Sequence, residues 1–410
     1  MGKRRGKVRD HHEDEVPREN VDIDEDDLDE QELLEQKQSD CLTECLDRLS
    51  LRRSEIRESG VDELTIMLQR SFCDAPLQKS KAGVMEALFK SVFKRGTETE
   101  GVKAMKCLSV VIFSFGTDAE GIDKPVRDKV QTICLDKSLS PELRAAAIEL
   151  LATMTFVACD DEEDVLAVVQ SVASIITPDE TTPDDEVLKA ALLALSALFT
   201  VCSAATFAIA GQGETTVCDI LIDLQHLLEH KNLHVRAASG EAFGTFFWKA
   251  REHYEDDFSF DSYGDLVYME DVLDRLYDLS KENSRHKGKK ERHEQRKAFK
   301  ELSSVVEFGQ CEPEDLIIDG NRLVFADWLS IVQLRFCRDV LGAGLAAHMA
   351  RNPLLADIFD LSVTKHAGGT SSMSRKAASN YNAAVFKEWT RNRKKDRKIR
   401  QNQKDLAFAE

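Results

Sequence analysis

Two clusters of basic residues are the part of this sequence best suited to chemistry. Residues 390–400 include seven lysines or arginines, and residues 281–300 include nine against three acidic residues. Lysine and arginine at this density neutralise the phosphates of a nucleic acid, and the release of counterions makes such binding weaken as the salt concentration rises. Both clusters therefore predict a binding function directed at a polyanion, with RNA as the preferred partner.

The cations of residues 390–400 point to all sides when they are placed on a helix with 3.6 residues per turn. A helix lying on a membrane keeps an apolar stripe, and a helix packed on protein would bury unpaired charges at roughly several kcal/mol per ion. A channel with phosphates on every side would neutralise such a helix; a solvated basic tail or a localisation signal is the alternative. The predicted contacts are Lys387, Arg391, Arg393, Lys394, Lys395, Arg397, Lys398 and Arg400.

Aromatic residues precede this cluster at helical spacing. Tyr381, Val385 and Trp389 are four residues apart and therefore share a face of the predicted helix. Tyr381 and Trp389 are predicted either to dock the helix on the body of the protein or to stack on exposed bases, which contributes roughly 1–3 kcal/mol per base.

The cations of the other cluster recur at three- or four-residue spacing along one predicted helical face. Arg292, Arg296 and Lys300 follow this spacing and would grip an RNA backbone from one side. His286 and His293 are seven residues apart, a poor geometry for a zinc pair, and are interpreted as accessory RNA contacts or as exposed residues. The predicted contacts of this cluster are Arg285, His286, Lys287, Lys289, Lys290, Arg292, Arg296 and Lys297.

Sequence motifs of catalysis are absent. The chain has no Gly-x-x-x-x-Gly-Lys-Ser/Thr loop, no Gly-x-Ser-x-Gly elbow and no His-Glu-x-x-His pair. Its ten cysteines include no Cys-x-x-Cys pair, so we expect reduced thiols packed as small hydrophobic residues. Gly342 and Gly344 indicate close packing of a helix. The sequence therefore predicts a protein that is not an enzyme and uses no metal, cofactor or small-molecule substrate.

The sequence also bears on location. No apolar run reaches the roughly 20 residues of a membrane-spanning helix, and the first residues lack the apolar stretch of a signal peptide. We therefore expect no membrane contact and a cytoplasmic protein. The basic cluster Lys3, Arg4 and Arg5 is typical of a nuclear localisation signal, which makes the nucleus an additional expected location.

The elements that must position the basic clusters are helices arranged in repeats. The chain has only 8 prolines and 20 glycines, too few for a turn-rich β architecture. A single cation followed by small or apolar residues recurs at steps of 46, 41, 45 and 47 residues, the period of HEAT and armadillo units. The recurring cations, predicted to cap carbonyl groups or to lie at the solvent edge, are Arg57, Lys103, Arg144, Lys189 and Arg236.

This pattern predicts an all-α fold: an armadillo/HEAT-like α-solenoid with a helical C-terminal domain and a long basic C-terminal helix. Residues 10–35 carry a net charge of −13 with few apolar residues, so residues 1–35 are predicted to be a disordered acidic tail. The remaining predicted units are repeats at 36–279, a C-terminal helical domain at 280–361 with a basic helix at 281–305, a linker at 362–373 and the basic helix at 374–410.

Three blocks of the sequence resemble the interferon-related developmental regulator family. The first block is Arg285-His286, Lys287, Lys290, Gln295-Arg296 and Phe299. The second is Asp327-Trp328, Val340 to Gly344, His348, Asn352, Leu354 and Ile358-Phe359. The third is Tyr381 to Lys387 with Thr390 and Arg393. The departures from the family pattern are Gly288, Glu291, Ala343, Glu388-Trp389 and the stretch from Asp360 to Val363.

The resemblance implies an armadillo-like protein without catalytic activity. It implies binding to idle ribosomes, where the protein blocks tRNA sites and places its C-terminal helix in the mRNA channel. The expected partner is then the ribosome, both its RNA and its proteins, and the expected function is repression of translation. The resemblance also implies an alternative, a nuclear transcriptional co-regulator that acts as a scaffold and recruits deacetylase-containing co-repressor complexes.

Overall fold

The computed structural model describes residues 25–94, 96–116, 124–159, 161–178, 183–209, 217–281, 289–318 and 320–361. The predicted linker 362–373 and the predicted basic helix 374–410 lie outside these residues, as do residues 1–24.

Twelve helices follow one another along the first three quarters of the chain. They are α1 (Glu25–Ser50), α2 (Ser54–Arg70), α3 (Asp74–Phe93), α4 (Glu98–Phe115), α5 (Lys124–Leu135), α6 (Pro141–Ala158), α7 (Glu162–Ile176), α8 (Asp185–Phe199), α9 (Ile220–Leu227), α10 (Leu233–Tyr254), α11 (Met269–Lys281) and α12 (Lys289–Phe308). Short 3-10 turns occur at Ala204–Phe207, Glu255–Asp257 and Phe260–Tyr263.

The even-numbered helices form one layer of a stack, here called the inner layer. Helices α2, α4, α6, α8, α10 and α12 each pack against the next. The odd-numbered helices pack beside them and form the outer layer. A two-helix unit leaves an apolar face bare until a neighbouring unit covers it, so the units stack in sequence order. The predicted all-α solenoid is confirmed.

Local sequence explains where several helices begin. Ser140 accepts a hydrogen bond from the backbone N–H of Leu143, and Pro141 occupies the first helical position of α6. Asp161 and Asp184 cap α7 and α8 in the same way. Each cap satisfies an N–H group that the first turn of a helix cannot bond internally.

The recurring cations of the repeats play two structural roles. Arg57, Arg144 and Arg236 are buried and donate to backbone carbonyl groups at N–O distances of 2.7 to 3.1 Å. Arg144 bonds a carbonyl in the last turn of α5, whereas Arg57 and Arg236 bond carbonyls in the turns that follow α1 and α9. Arg57 also pairs with Glu100 at 2.6 Å. The arginines thus cap carbonyl groups that helix ends and the following turns leave unpaired. Lys103 instead pairs with Asp62 at 2.7 Å near the surface, and Lys189 is exposed.

The structure differs from the sequence-based boundaries at both ends of the stack. Helix α1 begins at Glu25, so residues 25–35, predicted to be disordered, are helical. At the other end, α12 packs on α10 and α11 packs on α12, and the two helices extend the stack beyond residue 279. The apolar residues Phe299, Leu302 and Val305 of α12 are buried in this contact, although the sequence period that marks the earlier units is missing there.

After α12 the chain turns back across the inner layer. Residues 311–361, here called the return segment, form a hairpin of antiparallel strands β1 (Glu314–Ile318) and β2 (Asn321–Phe325), then α13 (Trp328–Leu341), a 3-10 turn (Gly342–Gly344), α14 (Leu345–Arg351) and α15 (Pro353–Ile358). Helix α13 contacts α10, α8 and α4, and the turn after it contacts α2. The return segment therefore spans most of the stack in the reverse direction.

Three residues fix the far end of the return segment, and we call them the latch: Gly344, His348 and Asn352. The Nε2 atom of His348 donates to the carbonyl oxygen of Leu68 at 2.7 Å, and the side-chain amide of Asn352 donates to the carbonyl oxygen of Phe113 at 2.8 Å. Gly344 lies so close to Gln69 that a β-carbon at position 344 would overlap its carbonyl oxygen. The prediction of close packing at this glycine is confirmed.

In the part of the chain that the structure describes, no helix combines the length and the apolar character needed to cross a membrane. The same residues contain no group of three or more histidines, cysteines, aspartates or glutamates that could hold a metal ion.

Candidate RNA-binding surface

Helix α12 carries most of the basic cluster 281–300 and is oriented by its apolar side. Gln295, Phe299, Leu302, Val305 and Val306 are buried against the stack. Two glycines of α10 allow the close approach. A β-carbon at Gly240 would lie 2.8 Å from Leu302, and one at Gly244 would lie 3.0 Å from Val305. With this side fixed, the basic residues must lie on the flanks and the outer side of α12.

The structure separates the predicted contacts of this cluster into groups. Lys290 is 92% exposed at its side chain, and Lys297 is exposed, whereas Arg292 and Arg296 are half-buried. Arg296 donates through Nε to the carbonyl oxygen of Arg292 at 3.2 Å. Arg285, His286 and Lys287 lie outside the described residues, and only the backbone of Lys289 is described.

A cleft of about 550 Å³ brings four basic side chains of α12 together: His293, Arg296, Lys297 and Lys300. Lys290 and Arg292 do not line it. The cleft thus brings together Arg296 and Lys300 of the predicted face with Lys297 and with His293, which is interpreted from the sequence as an accessory contact or an exposed residue. Its other walls come from α10, from the end of α11 and from the backbone that follows α12, through Trp248, Ser280, Gly309, Gln310, Cys311, Glu312 and Ala326.

The cleft has three charged basic residues, Arg296, Lys297 and Lys300, against two acidic residues, Glu301 and Glu312, so it keeps a small positive excess. Lys297 and Lys300 make no ion pair within 4 Å to any residue that the structure describes. Glu301 also lines the cleft, but it pairs with Arg335 at 3.3 Å. Burial raises the pKa of Glu301 even though the charges of Arg335 and Lys297 act in the opposite direction. Cations that are not held in a close ion pair are available to an anionic ligand.

Arg335 of α13 joins the cleft to the return segment. Its guanidinium contacts Glu241 at 3.1 Å, Glu301 at 3.3 Å and Glu314 at 3.1 Å, and it lies 5.2 Å from the centre of the Trp328 ring. Burial opposes the charge of Arg335, but the three carboxylates outweigh it and raise the pKa of this residue. The network holds α10, α12 and the hairpin in fixed relative positions.

The wall of the cleft beyond α12 is positioned by a helix cap. Gly309 has φ of +59°, a conformation that glycine adopts without strain, and its N–H bonds the carbonyl of Val305 at 2.9 Å. Arg251 of α10 donates to the carbonyl oxygens of Val306 and Glu307 at 2.5 and 3.3 Å. Burial lowers the pKa of Arg251 to about 10. The cap therefore fixes the position of residues 309–312 relative to the end of α12.

A cysteine in the cleft does not act as a nucleophile in this arrangement. Cys311 is buried, and burial raises the pKa of its thiol to about 12. The thiolate is the reactive form of cysteine, so a thiol with this pKa is inert at neutral pH.

Sequence reasoning missed Trp248 and the long-range hydrogen bonds of the latch, although the resemblance had marked the block that contains His348 and Asn352. Trp248 lies in a repeat helix, where a large apolar residue normally signals the core, and nothing in the local sequence shows that α12 will stack beside it. The predicted contacts at the end of the chain lie outside the described residues and stay predictions: Tyr381, Lys387, Trp389, Arg391, Arg393, Lys394, Lys395, Arg397, Lys398 and Arg400.

Comparison with known proteins identifies the family. A family model described as Interferon-related developmental regulator (IFRD) matches residues 13–307. This range includes helices α1 to α11 and all of α12 except its last residue. The chain belongs to the interferon-related developmental regulator family. The match ends before the return segment, so the family model covers only the first of the three resembling blocks.

Individual relatives extend the likeness further. Interferon-related developmental regulator 2 of Mus musculus is 26% identical over 394 residues, covering 91% of this chain and 86% of the relative. Interferon-related developmental regulator 1 of Homo sapiens is 25% identical over 320 residues, covering 74% of this chain and 68% of the relative. Among solved structures, an engineered protein of the Northeast Structural Genomics Consortium has a TM-score of 0.43 at 16% identity, covering 65% of this chain and 94% of that one.

Proposed function

We propose that this family member is a non-enzymatic, ribosome-binding regulator that represses translation by inserting its basic C-terminal helix into an RNA-lined channel. The observation that carries the proposal is the cleft beside α12, where four basic side chains converge and where Lys297 and Lys300 make no ion pair within 4 Å to a described residue. Unpaired cations contribute little to folding but bind phosphates well.

The positions of the two basic clusters favour a large RNA target. Phe359, which follows the last described helix α15, lies with its ring 5.2 Å from that of Phe325 at the end of β2. The next residue after β2, Ala326, lines the cleft. The described chain therefore ends near the cleft, so the basic tail and the cleft can meet neighbouring parts of one RNA surface. Two such contacts on one particle would reinforce each other.

Sedimentation in a sucrose gradient at physiological salt tests this proposal. The wild-type protein should travel with small-subunit and whole-ribosome fractions. A tail variant with Arg393, Lys394, Arg397 and Lys398 changed to Glu should remain at the top, since reversing four charges changes the net charge near the phosphates by eight units. Lys79→Glu, an exposed change on α3, is the matched control and should sediment like the wild type. Wild-type protein found only at the top of the gradient would overturn the proposal.

The nuclear co-regulator remains the second candidate, because Lys3, Arg4 and Arg5 form a basic cluster suited to nuclear import. Crosslinking followed by sequencing of the bound RNA separates the two roles. A ribosome-binding protein yields mostly ribosomal RNA. A co-regulator yields chromatin-associated transcripts, and its nuclear enrichment disappears when these three residues are changed to alanine.

A further inference from the structure

We infer that the cleft beside α12 is a subsite for one unpaired nucleotide of RNA, whose base stacks on Trp248 and whose phosphate binds Arg296 and Lys300. This inference rests on the proposed function, because it assumes that the surface meets RNA. It adds that the bound RNA is unpaired and names Trp248 as the residue on which a base stacks.

The volume of the cleft suits a single nucleotide. Its volume of about 550 Å³ falls in the range of roughly 300–1,000 Å³ typical of pockets that enclose a small ligand. The paired strands of an RNA helix cannot enter a pocket of this size, whereas a base turned out of a loop or a single strand can.

The charges of the cleft are placed for a phosphate. Arg296 uses only its Nε for a hydrogen bond within the described part of the chain, to the carbonyl of Arg292, so its two terminal nitrogens are available. Lys300 is one turn further along the same flank of α12 and is exposed. A planar guanidinium next to an ammonium group suits a phosphate, since the guanidinium donates two parallel hydrogen bonds and the ammonium adds charge.

The tryptophans that the structure describes differ in a way that points to a ligand. Trp328 is fully buried, and its indole N–H donates to the Thr245 hydroxyl at 3.0 Å. Trp248 is half-buried, lines the cleft, and its indole N–H has no hydrogen-bond partner among the described residues. Buried tryptophans normally find such a partner. An indole at the wall of a basic cleft offers an apolar face for stacking and an unused donor at its edge.

Polar side chains of the cleft could meet the edge of a base. Ser280, Ser304 and Gln310 line the pocket. The Ser280 hydroxyl donates to the carbonyl oxygen of Tyr277 at 2.6 Å, so towards a ligand it acts as an acceptor. Hydroxyl and amide groups match the mixed donors and acceptors that an unpaired base exposes on its edges. The cleft therefore contains groups that suit a base as well as groups that suit a phosphate.

Tryptophan fluorescence of the full chain in a Trp389→Phe background provides the test. The probes are a nine-residue oligouridylate, uridine monophosphate, and inorganic polyphosphate of matched charge. Oligouridylate should quench the emission of Trp248, and polyphosphate should not, because it has phosphates without bases. Uridine monophosphate should bind far more weakly than the oligomer, since it lacks the neighbouring phosphates.

Substitutions connect the signal to the cleft. In that background, Trp248→Leu should weaken oligouridylate binding, measured by fluorescence anisotropy, by at least about fivefold. Trp248→Phe keeps an aromatic face and should stay within about threefold, which also controls for folding. Lys300→Glu should weaken binding more than Lys290→Glu, a matched change on the same helix outside the cleft.

Several results would overturn the inference. These are equal quenching by polyphosphate and oligouridylate, equal affinity for the monophosphate and the oligomer, no binding of the oligomer, or no effect of Trp248→Leu. Sedimentation separates this failure from failure of the proposed function. If the wild-type protein still travels with ribosomes, the nucleotide subsite is wrong and ribosome binding stands; if it stays at the top, both are wrong.

Discussion

The cleft beside α12 and the latch of the return segment both lie in blocks that resemble the family, yet they use polar side chains in opposite ways. In the latch, His348 and Asn352 are buried, and each donates a hydrogen bond to a backbone carbonyl far away in the sequence. In the cleft, Lys297 and Lys300 are exposed and make no ion pair within 4 Å to a described residue. The latch residues therefore serve folding, and the cleft residues are available for binding.

The comparison also shows how the two regions depend on each other. Arg335 lies in the return segment and pairs with Glu301 of α12, so docking of this segment holds one wall of the cleft. A buried polar group that loses its partner costs the free energy of its desolvation, whereas an exposed cation costs almost nothing. Mutations should therefore affect folding in one region and binding in the other.

The largest effect on folding is expected at Arg335, which connects the return segment to α12. Arg335→Met leaves Glu241, Glu301 and Glu314 without their shared cation, and the side chains of Glu241 and Glu301 are each only 14% exposed. We expect the free energy of unfolding, measured with urea, to fall by about 3 kcal/mol. Arg338→Met is the control, because Arg338 is 43% exposed and contacts only Glu314 at 3.5 Å. Equal losses for the two variants would contradict the role given to Arg335.

The next largest effect is expected at the glycine of the latch. Gly344→Ala places a methyl group on the carbonyl oxygen of Gln69, so the return segment must shift, at about 2–3 kcal/mol. Amide hydrogen exchange should show faster exchange in α14 and α15. Gly83→Ala in α3 is the matched control, since a β-carbon there meets nothing within 4 Å and should stabilise the helix slightly. Unchanged exchange in α14 would show that the close contact is not required.

A smaller, pH-dependent effect is expected at His348. Burial lowers the pKa of this residue despite its hydrogen bond to Leu68. The folded pKa thus lies below the unfolded value of roughly 6.5, and His348 is neutral in the fold. Its contribution to stability is complete above that value and is lost as the pH falls towards the folded pKa, by at most about 1.4 kcal/mol per pH unit. His348→Gln should remove this slope from urea unfolding midpoints measured between pH 7 and pH 5; an unchanged slope would contradict the assignment.

The smallest effect on folding is expected in the cleft. Lys300→Glu changes an exposed residue without an ion pair among the described residues, so the free energy of unfolding should change by less than about 0.5 kcal/mol. The same variant should lose affinity for RNA, and its affinity should depend less steeply on salt. A loss of stability as large as that of Gly344→Ala would erase the difference between the two regions.

Much of the fold could be predicted because its signals are local. The spacing of the recurring cations and of the apolar stripes appears within single helices, and three of those cations do cap carbonyl groups. The boundaries were less accurate. Acidic residues at the start of α1 suggested disorder, yet the helix begins at Glu25.

The latch and the cleft could not be predicted because they depend on contacts between distant segments. His348 and Leu68 are 280 residues apart, and no local pattern states that the return segment reaches α2. The cleft requires α12 to stack beside α10, which brings Trp248 next to Arg296 and Lys300. The resemblance to the family marked both blocks, but it did not say which one binds and which one folds.

The most direct test of RNA binding by the cleft is ultraviolet crosslinking of the protein on purified ribosomes, followed by mass spectrometry of the crosslinked peptides. We predict crosslinks to ribosomal RNA in peptides that contain Trp248, residues 289–312 and residues 387–400. Lys297→Glu with Lys300→Glu should remove the first two and keep the third. Crosslinks confined to the outer helices α3, α5 and α7, or none at all, would contradict the account.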